Sequence, residues 1–195
     1  TLLFTMLVFT FFGYSQQEEV VQDFESAPTT MGFEGLTSAT IIDDNTGAGN
    51  GKVFELVTNP NIDIPNGIGP WQGAEVELNN QSLLDLTSIK TISVDVYSTT
   101  AFTPMAKVES SMGAPDAANT QSHDGSGWVT LTFSFTTGSD NTQTADGTYD
   151  KVVFFPNRNA ADDGWRDPAL DITVLFDNVT GVKTTAGGGG GGSND

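Results

Sequence analysis

The segment Trp128–Thr136 reads WVTLTFSFT and alternates apolar with polar side chains over nine residues. An extended strand with one buried face and one solvated face has this period of two. The segment therefore predicts a strand of an antiparallel sheet that covers a core on one side. The predicted buried face consists of Val129, Leu131, Phe133 and Phe135, and the polar face of Trp128, Thr130, Thr132 and Ser134.

Two further segments show the same alternation. In Thr91–Ser98 the apolar face carries Ile92, Val94 and Val96, and in Met105–Ser110 it carries Ala106 and Val108. If the three strands are neighbours, their polar faces form one surface. We expect that surface to carry Asp95, Tyr97, Lys107, Glu109, Thr130 and Trp128.

The remainder of the chain also has the composition of strands. Nine segments rich in Val, Ile, Phe and Thr are separated by clusters of Gly, Asn, Asp and Pro. They are Val20–Ser26, Ser38–Asp43, Lys52–Thr58, Gln72–Leu78, Thr91–Ser98, Met105–Ser110, Trp128–Thr136, Lys151–Pro156 and Ile172–Val182. Ser82–Ser88 is predicted as one short helical turn. The fold class is all-β, a two-sheet antiparallel β-sandwich of the jelly-roll type.

The two ends differ from this central module, residues 17–186. Residues 1–16 form an uncharged apolar run with Gly13 and Ser15 at small positions, which predicts a secretory signal peptide. The run is shorter than the roughly 20 apolar residues that span a bilayer. Since residue 1 is Thr, we interpret the N-terminus as cut. Residues 187–195 begin with six glycines and predict a flexible linker to a tethered catalytic or sorting domain.

The charge of the chain limits its partners. Twenty-five acidic and seven basic residues give a net charge of -18, which disfavours nucleic acid and anionic lipid. It also repels polyanionic polysaccharides unless a local Lys or Arg intervenes, although the acidity can serve solubility alone.

No cysteine is present, so stability must come from the core or from a metal. We expect a secreted monomer without a membrane span.

Seven short motifs, taken in order and spacing, resemble secreted bacterial β-sandwich carbohydrate-binding modules akin to families 4 and 22. They are Asp23-Phe24-Glu25, Gly51-Lys52-Val53, Trp71-x-Gly73, Ile92-Ser93-Val94-Asp95-Val96-Tyr97, Lys107-Val108-Glu109, Gly127-Trp128 leading into Leu131-Thr132-Phe133, and Phe176-Asp177-Asn178-Val179. The resemblance implies a non-catalytic sugar-binding module attached to a glycoside hydrolase or lyase, or part of a surface glycan-binding protein. It also implies a structural calcium ion that joins the first and last strands.

By this resemblance, the calcium site falls on Glu25, Asn50, Lys52 through its carbonyl, and Asp177, with Asp23 and Asp44 as further ligands. Calcium takes six to eight oxygen ligands, and the loop 43–51 offers carboxylates, an amide and carbonyls. A lone acid in a buried strand, such as Asp177, needs compensation. The alternative is that these are ordinary solvated loop acids.

The predicted sugar site depends on aromatic rings in polar loops. Trp71 and Trp165 both lie in such loops, where an indole can stack on a pyranose, although local packing is the alternative. Trp128 either caps the core or belongs to the site. The full predicted ligand-binding set is Trp71, Tyr97, Lys107, Glu109, Trp128, Asn157, Arg158 and Trp165.

Two arginines flank Trp165 and have two interpretations. Arg158 and Arg166 can grip a uronate or sulfate, or they can pair with Asp162, Asp163 and Asp167, which is favoured. Lys107 and Glu109 can likewise pair with each other. A neutral β-glucan such as laminarin is the expected ligand. An anionic algal polysaccharide held by Lys107, Arg158 and Arg166 is the alternative, and a structural spacer or adhesion domain is another.

Catalysis has little support in the sequence. His123, the one histidine, is expected to be solvated in its loop, and no Gly-x-Ser-x-Gly elbow or cysteine is present. Glu75 and Glu77 share one strand face about 7 Å apart, a spacing that would suit an inverting glycosidase. Alternating acids are common in so acidic a chain, so no catalytic residue is predicted.

Overall fold

A computed structural model describes residues 16–78 and 82–184. The predicted linker and all of the predicted signal peptide except Gln16 lie outside the described residues. Within these two ranges, thirteen strands form, together with a short 3-10 turn at Ile64–Asn66. The strands are β1 (Glu18–Gln22), β2 (Thr30–Phe33), β3 (Ser38–Asp43), β4 (Lys52–Val57), β5 (Gly73–Glu77), β6 (Leu83–Asp85), β7 (Thr91–Ser98), β8 (Thr103–Glu109), β9 (Ala117–Thr120), β10 (Gly127–Ser134), β11 (Thr148–Tyr149), β12 (Lys151–Arg158) and β13 (Thr173–Thr184).

The strands form two antiparallel sheets, which confirms the predicted all-β sandwich. The larger has the order β10-β7-β13-β4-β3, with β1 and β6 on the C-terminal half of β13 and β11 paired to β6. The smaller has the order β2-β5-β12-β8-β9. The long strand β13 therefore joins the N-terminal strand to the centre of the larger sheet.

The core lies between the sheets and is built from the predicted apolar faces. Ile92, Val94 and Val96 of β7 are fully buried, and Phe133 of β10 packs with them. Across the interface, Phe154 of β12 stacks on Phe176 of β13 with ring centroids 4.2 Å apart. Such aromatic stacking contributes beyond the area that it buries. Among the described residues, no helix has the length and apolar character needed to cross a bilayer.

Two details of the predicted secondary structure are wrong. Leu83–Asp85, inside the predicted helical turn, is strand β6, because Leu83 and Leu84 are buried and pair with the end of β13. The first predicted strand ends at Gln22 rather than Ser26, since Phe24 has a φ of 59° and turns the chain. The short strands β2, β9 and β11 were not predicted.

The single polar surface predicted for three strands is also wrong. β7 and β10 are neighbours, and Tyr97 lies opposite Trp128 in their register. However, β8 crosses to the other sheet and pairs with β12 and β9. Lys107 and Glu109 therefore lie on the opposite side of the sandwich from Asp95, Tyr97, Trp128 and Thr130.

Candidate functional site

The outward side of the five-stranded sheet carries a row of paired charges. We call this surface the five-strand face. Lys107 of β8 contacts Glu109 at 2.6 Å and Asp116 at 2.7 Å. Beside it, Lys151 of β12 pairs with Glu75 of β5. The predicted pairing of Lys107 with Glu109 is confirmed, and each lysine is already neutralised by carboxylates.

The protonation of both lysines is secured by these partners. Desolvation lowers the pKa of Lys107, but hydrogen bonds and the charges of Asp116 and Glu109 outweigh it and raise the pKa. The hydrogen bond to Glu75 raises the pKa of Lys151. Both ammonium groups therefore stay charged at any physiological pH. With two lysines against Glu75, Glu109 and Asp116, the row presents polar hydrogen-bonding groups and one excess negative charge.

Next to this row, three aromatic rings form a contiguous strip. Phe33 of β2 meets Phe155 of β12 edge to face at 5.5 Å, and Phe155 meets Trp165 at 5.3 Å. Gly73 of β5 lies beneath the first pair, because a Cβ there would come within 2.6 Å of Phe33 and 2.9 Å of Phe155. The absence of a side chain at Gly73 thus lets the two rings meet across the middle strand.

Arg158 fixes Trp165 from behind. Its guanidinium carbon lies 4.8 Å from the indole centroid, within the range of a cation–π contact. The side chain is only 2% exposed and forms ion pairs with Asp140 at 2.9 Å and Asp162 at 3.0 Å. The expectation of aspartate pairing is confirmed for Arg158 with Asp162, but it is wrong for Arg166, which forms no ion pair in the part of the chain that the structure describes. The fork of donors of Arg158 is therefore engaged within the protein.

Asn157 is fully buried and joins the two loops that carry tryptophans. Its Nδ2 donates to the carbonyl of Pro70, next to Trp71, at 3.0 Å. Its Oδ1 accepts from the backbone N–H of Leu170 at 3.0 Å. Both ends of the amide are used, so this residue positions the loops rather than meeting solvent.

Trp71 and Trp165 are both partly exposed. A Cβ on Gly69 would lie 2.7 Å from the ring of Trp71, so that ring packs closely on its own loop. Trp165 borders an open depression of about 570 Å³ that Asn159, Arg166 and Asp167 also line. Of the predicted ligand-binding residues, Lys107, Glu109 and Trp165 share the five-strand face. Arg158 lies beneath Trp165.

Tyr97 and Trp128 lie on the outer face of the larger sheet. Their ring centroids are 5.5 Å apart, and Trp128 Nε1 donates to Thr46 Oγ1 at 2.9 Å. The interpretation of Trp128 as a core cap is wrong, because its side chain follows the solvent parity of β10. These two rings cannot act in one site with Lys107 and Trp165.

His123 is buried, so the expectation of a solvated loop histidine is wrong. It is 2% exposed and packs against Phe102 at 5.3 Å. Its Nδ1 accepts the backbone N–H of Gly125 at 2.9 Å, and Nε2 lies 3.0 Å from the carbonyl of Gly127. A backbone bridge also pairs His123 with Phe102, and the hydrogen bonds of the ring give it a structural role.

The residues predicted to bind calcium lie just after β1, in the loop between β3 and β4 and at the start of β4, and, for Asp177, within β13. Asp177 is 2% exposed, and burial, with the nearby charges of Asp95, Glu25 and Asp23, raises its pKa to about 6. Its two oxygens accept from the backbone N–H and Nδ2 of Asn178. No lysine or arginine of the described residues pairs with it.

The other predicted calcium ligands are held by backbone groups. Glu25 Oε1 accepts the N–H of Lys52 at 2.8 Å. Asp44 accepts from Thr46, Gly49 and Asn50. Desolvation raises the pKa of Asp44, but the hydrogen bonds together outweigh it and lower the pKa. Lys52 Nζ pairs with Asp43 at 3.1 Å, while Asp23 is exposed.

The arrangement around Asp177 fits a calcium ion in charge but only partly in geometry. A buried carboxylate facing three others is a place where a divalent cation lowers the electrostatic energy. Within residues 16–78 and 82–184, however, no three acidic, histidine or cysteine side chains are grouped so that they could hold a metal. A cation there would need carbonyl and amide oxygens, as from Lys52 and Asn50, in addition to carboxylates.

Sequence reasoning missed the centre of the five-strand face. Phe33 lies in a strand of four residues, and Phe155 follows the nearly continuous apolar run Val152-Val153-Phe154. The alternation of β12 could have indicated that Phe155 faces outward, since Lys151, Val153 and Phe155 share one side and Phe154 is in the core.

The fold is similar to that of known sugar-binding modules. One is the family 11 carbohydrate-binding module of a cellulosomal cellulase of Clostridium thermocellum, with a TM-score of 0.52 and 19% identity over 88% of this chain and 96% of that one. A family 11 module from the same organism, in complex with a β-1,3-1,4-mixed-linked tetrasaccharide, gives 0.50 and 19% over 84% and 94%. An exo-β-agarase gives 0.53 and 11% identity, over 86% of this chain and 25% of that chain.

At these identities the likeness shows the fold alone. The chain thus has the β-sandwich fold of carbohydrate-binding modules, and the predicted resemblance is confirmed at that level. No protein-family model matches the chain, and no curated protein sequence matches it.

Proposed function

We propose that this protein is a non-catalytic carbohydrate-binding module that holds a polysaccharide on its five-strand face. The observation that carries the proposal is the strip formed by Phe33, Phe155 and Trp165 beside the Lys107 and Lys151 charge rows. Aromatic faces stack on the apolar faces of pyranose rings, and paired polar groups bind hydroxyls. The family 11 module that was captured with a tetrasaccharide has the same fold, which supports this class of ligand.

The charges of this face favour a neutral β-glucan over an anionic polysaccharide. Lys107, Lys151 and Arg158 all have carboxylate partners within the protein, so these cations are not free to bind a uronate or sulfate. The chain as a whole has a net charge of -18 and repels polyanions. Laminarin and mixed-linkage glucan are therefore the first ligands to test.

Trp165→Ala tests the proposed face. We expect a loss of affinity for β-glucan of about fivefold to about 150-fold, because a partly exposed aromatic anchor of this kind contributes about 1–3 kcal/mol. Affinity electrophoresis in gels containing laminarin or mixed-linkage glucan measures the loss. Ile64→Ala, at a residue that is 56% exposed and distant in sequence from the strip, is the matched control and should migrate as the wild type does. Equal retardation of Trp165→Ala and wild type would contradict the proposal.

We also propose the structural calcium ion, bound by Glu25, Asp177 and oxygens of Asn50 and Lys52. Such an ion would join the first strand, the loop before β4 and strand β13. The ion would compensate the charge of a buried carboxylate, and its role would be structural rather than catalytic. Calcium should raise the melting temperature and EDTA should lower it, with Asp177→Asn insensitive to both. A wild-type melting temperature that does not respond to calcium excludes the ion.

We propose that the role of the protein is to hold a tethered domain close to its polysaccharide. A module that binds an extracellular glycan raises the effective concentration of whatever is tethered to it. In this proposal the protein is a secreted monomer, and catalysis belongs to a tethered domain. Glu75, one of the two acids considered for hydrolysis, is paired with Lys151. Reducing-sugar release that disappears in Glu75→Gln and Glu77→Gln would overturn the non-catalytic assignment.

A further inference from the structure

A pocket of about 230 Å³ opens on the outer face of the larger sheet, on the other side of the sandwich from the five-strand face. We call it the Trp128 pocket. Its floor comes from β7 and β10, and its rim comes from the loop between β3 and β4. The lining residues are Ala48, Asn50, Asp95, Trp128, Val129 and Thr130.

The indole of this pocket is held in one orientation by contacts within the protein. Its Nε1 donates to Thr46 Oγ1 at 2.9 Å, and Tyr97 packs on it at 5.5 Å with an interplanar angle of 50°. The loop with Thr46 is itself fixed, because the carboxylate of Asp44 accepts three of its backbone N–H groups at 2.8–3.1 Å. A preformed pocket loses little conformational entropy on binding.

The polar groups of the pocket suit hydroxyls. Asp95 Oδ1 accepts from Thr130 at 2.5 Å, and Oδ2 accepts from Asn178 Nδ2 at 3.1 Å. An ionised carboxylate has about four acceptor positions, so these bonds orient Asp95 and leave positions for further donors. The six lining residues include one acid and no base. The pocket therefore disfavours an anionic group.

We infer that the Trp128 pocket is a second carbohydrate site that takes one residue of a neutral glucan. The pyranose would stack on the exposed part of Trp128, and its hydroxyls would donate to Asp95 and meet Thr130. The inference rests on the proposed function for the class of ligand but on different residues and the opposite sheet. Two sites on opposite sides let one module bridge two glucan chains and gain avidity.

The three tryptophans of the full chain allow each site to be observed separately. In ¹⁵N-labelled protein, each indole N–H gives one NMR signal, which Trp71→Phe, Trp128→Phe and Trp165→Phe assign. The probe is a β-1,3-1,4-linked glucotetraose. We expect the Trp128 signal to shift and saturate with its own dissociation constant. It should shift in the same way in Trp165→Ala, in which the five-strand face is disabled.

The outcomes separate the two proposals. If the Trp165 signal saturates while that of Trp128 stays still, the five-strand site stands and the pocket is excluded. If the Trp128 signal moves only when Trp165 is present, the change is transmitted from the first site and the inference fails. Movement of Trp128 alone supports the pocket and overturns the five-strand site. No movement of any indole at millimolar tetrasaccharide overturns both.

Discussion

Asp177 is the one carboxylate that is buried among the residues that the structure describes. It faces Asp95, Glu25 and Asp23, and its pKa rises to about 6. Its proton is therefore held more tightly in the folded than in the unfolded chain, where the ordinary value is 3.8. This favourable contribution is complete below about pH 4 and is lost as the pH rises through about 6.

This predicts a pH-dependent effect of Asp177→Asn in calcium-free buffer. The variant should gain stability relative to wild type as the pH rises from about 4 to about 7, by at most about 3 kcal/mol. Urea denaturation at several pH values measures the difference in unfolding free energy. Asp124→Asn is the control, since that carboxylate is exposed and its pKa is lowered, mainly by hydrogen bonds from Ser126. A constant difference between Asp177→Asn and wild type across this range would contradict the raised pKa.

Single residues also show what the sequence does and does not reveal. Trp165 could be identified because a large aromatic in a polar loop has no strand period to explain it. Phe155 was missed because the run Val152–Phe155 is apolar at every position, and only the alternation that starts at Lys151 indicates which side faces solvent. Arg158 was correctly expected to pair with Asp162, but its second partner, Asp140, lies in another loop that only the fold brings near.

At the scale of elements, β5 shows how a strand shapes the aromatic strip. We predict that Gly73→Ala lowers the unfolding free energy by about 1–3 kcal/mol, because overpacking forces neighbours apart. The added Cβ would lie 2.6 Å from Phe33, 2.9 Å from Phe155 and 2.9 Å from the carbonyl of Phe154. Glucan affinity should fall as well, since both rings of the strip must move. Thermal denaturation and affinity electrophoresis measure the two effects.

Gly164→Ala is the matched control for this substitution. Its added Cβ would meet only Asn159 Nδ2, at 3.5 Å, which is ordinary contact. We expect its stability to change by less than about 1 kcal/mol. If Gly73→Ala were as stable as Gly164→Ala and bound glucan as wild type does, the rings would not depend on the bare backbone of β5.

The elements that could be predicted are those with long alternation. β7 and β10 each span eight residues, and their buried faces were assigned correctly. β6 and β11 have three and two residues, too few to distinguish a period of two from a helical one. Alternation also identifies faces but not partners. The sequence therefore could not show that β8 belongs to the smaller sheet and β7 to the larger one. This difference places Lys107 and Tyr97 on opposite sides of the sandwich.

At the scale of the whole molecule, the net charge of -18 distinguishes between the two classes of glycan. A polyanion approaching this surface is repelled, and salt weakens that repulsion because the Debye length shrinks from about 30 Å at 0.01 M to about 3 Å at 1 M. A neutral glucan is not subject to this repulsion. Its contacts are stacking and hydrogen bonds to side chains whose charges are already paired within the protein.

We therefore predict that the affinity for laminarin or mixed-linkage glucan changes by less than about twofold between about 0.01 M and about 1 M salt. Binding to a sulfated or uronic acid polysaccharide, if any is detected, should strengthen as salt screens the repulsion. Titration calorimetry at the two salt concentrations measures both. Affinity for a polyanion that falls steeply with salt would instead mean that Arg166 binds the ligand, or that Lys107 or Arg158 leaves its carboxylate partners to do so. In that case the anionic alternative would replace the neutral glucan.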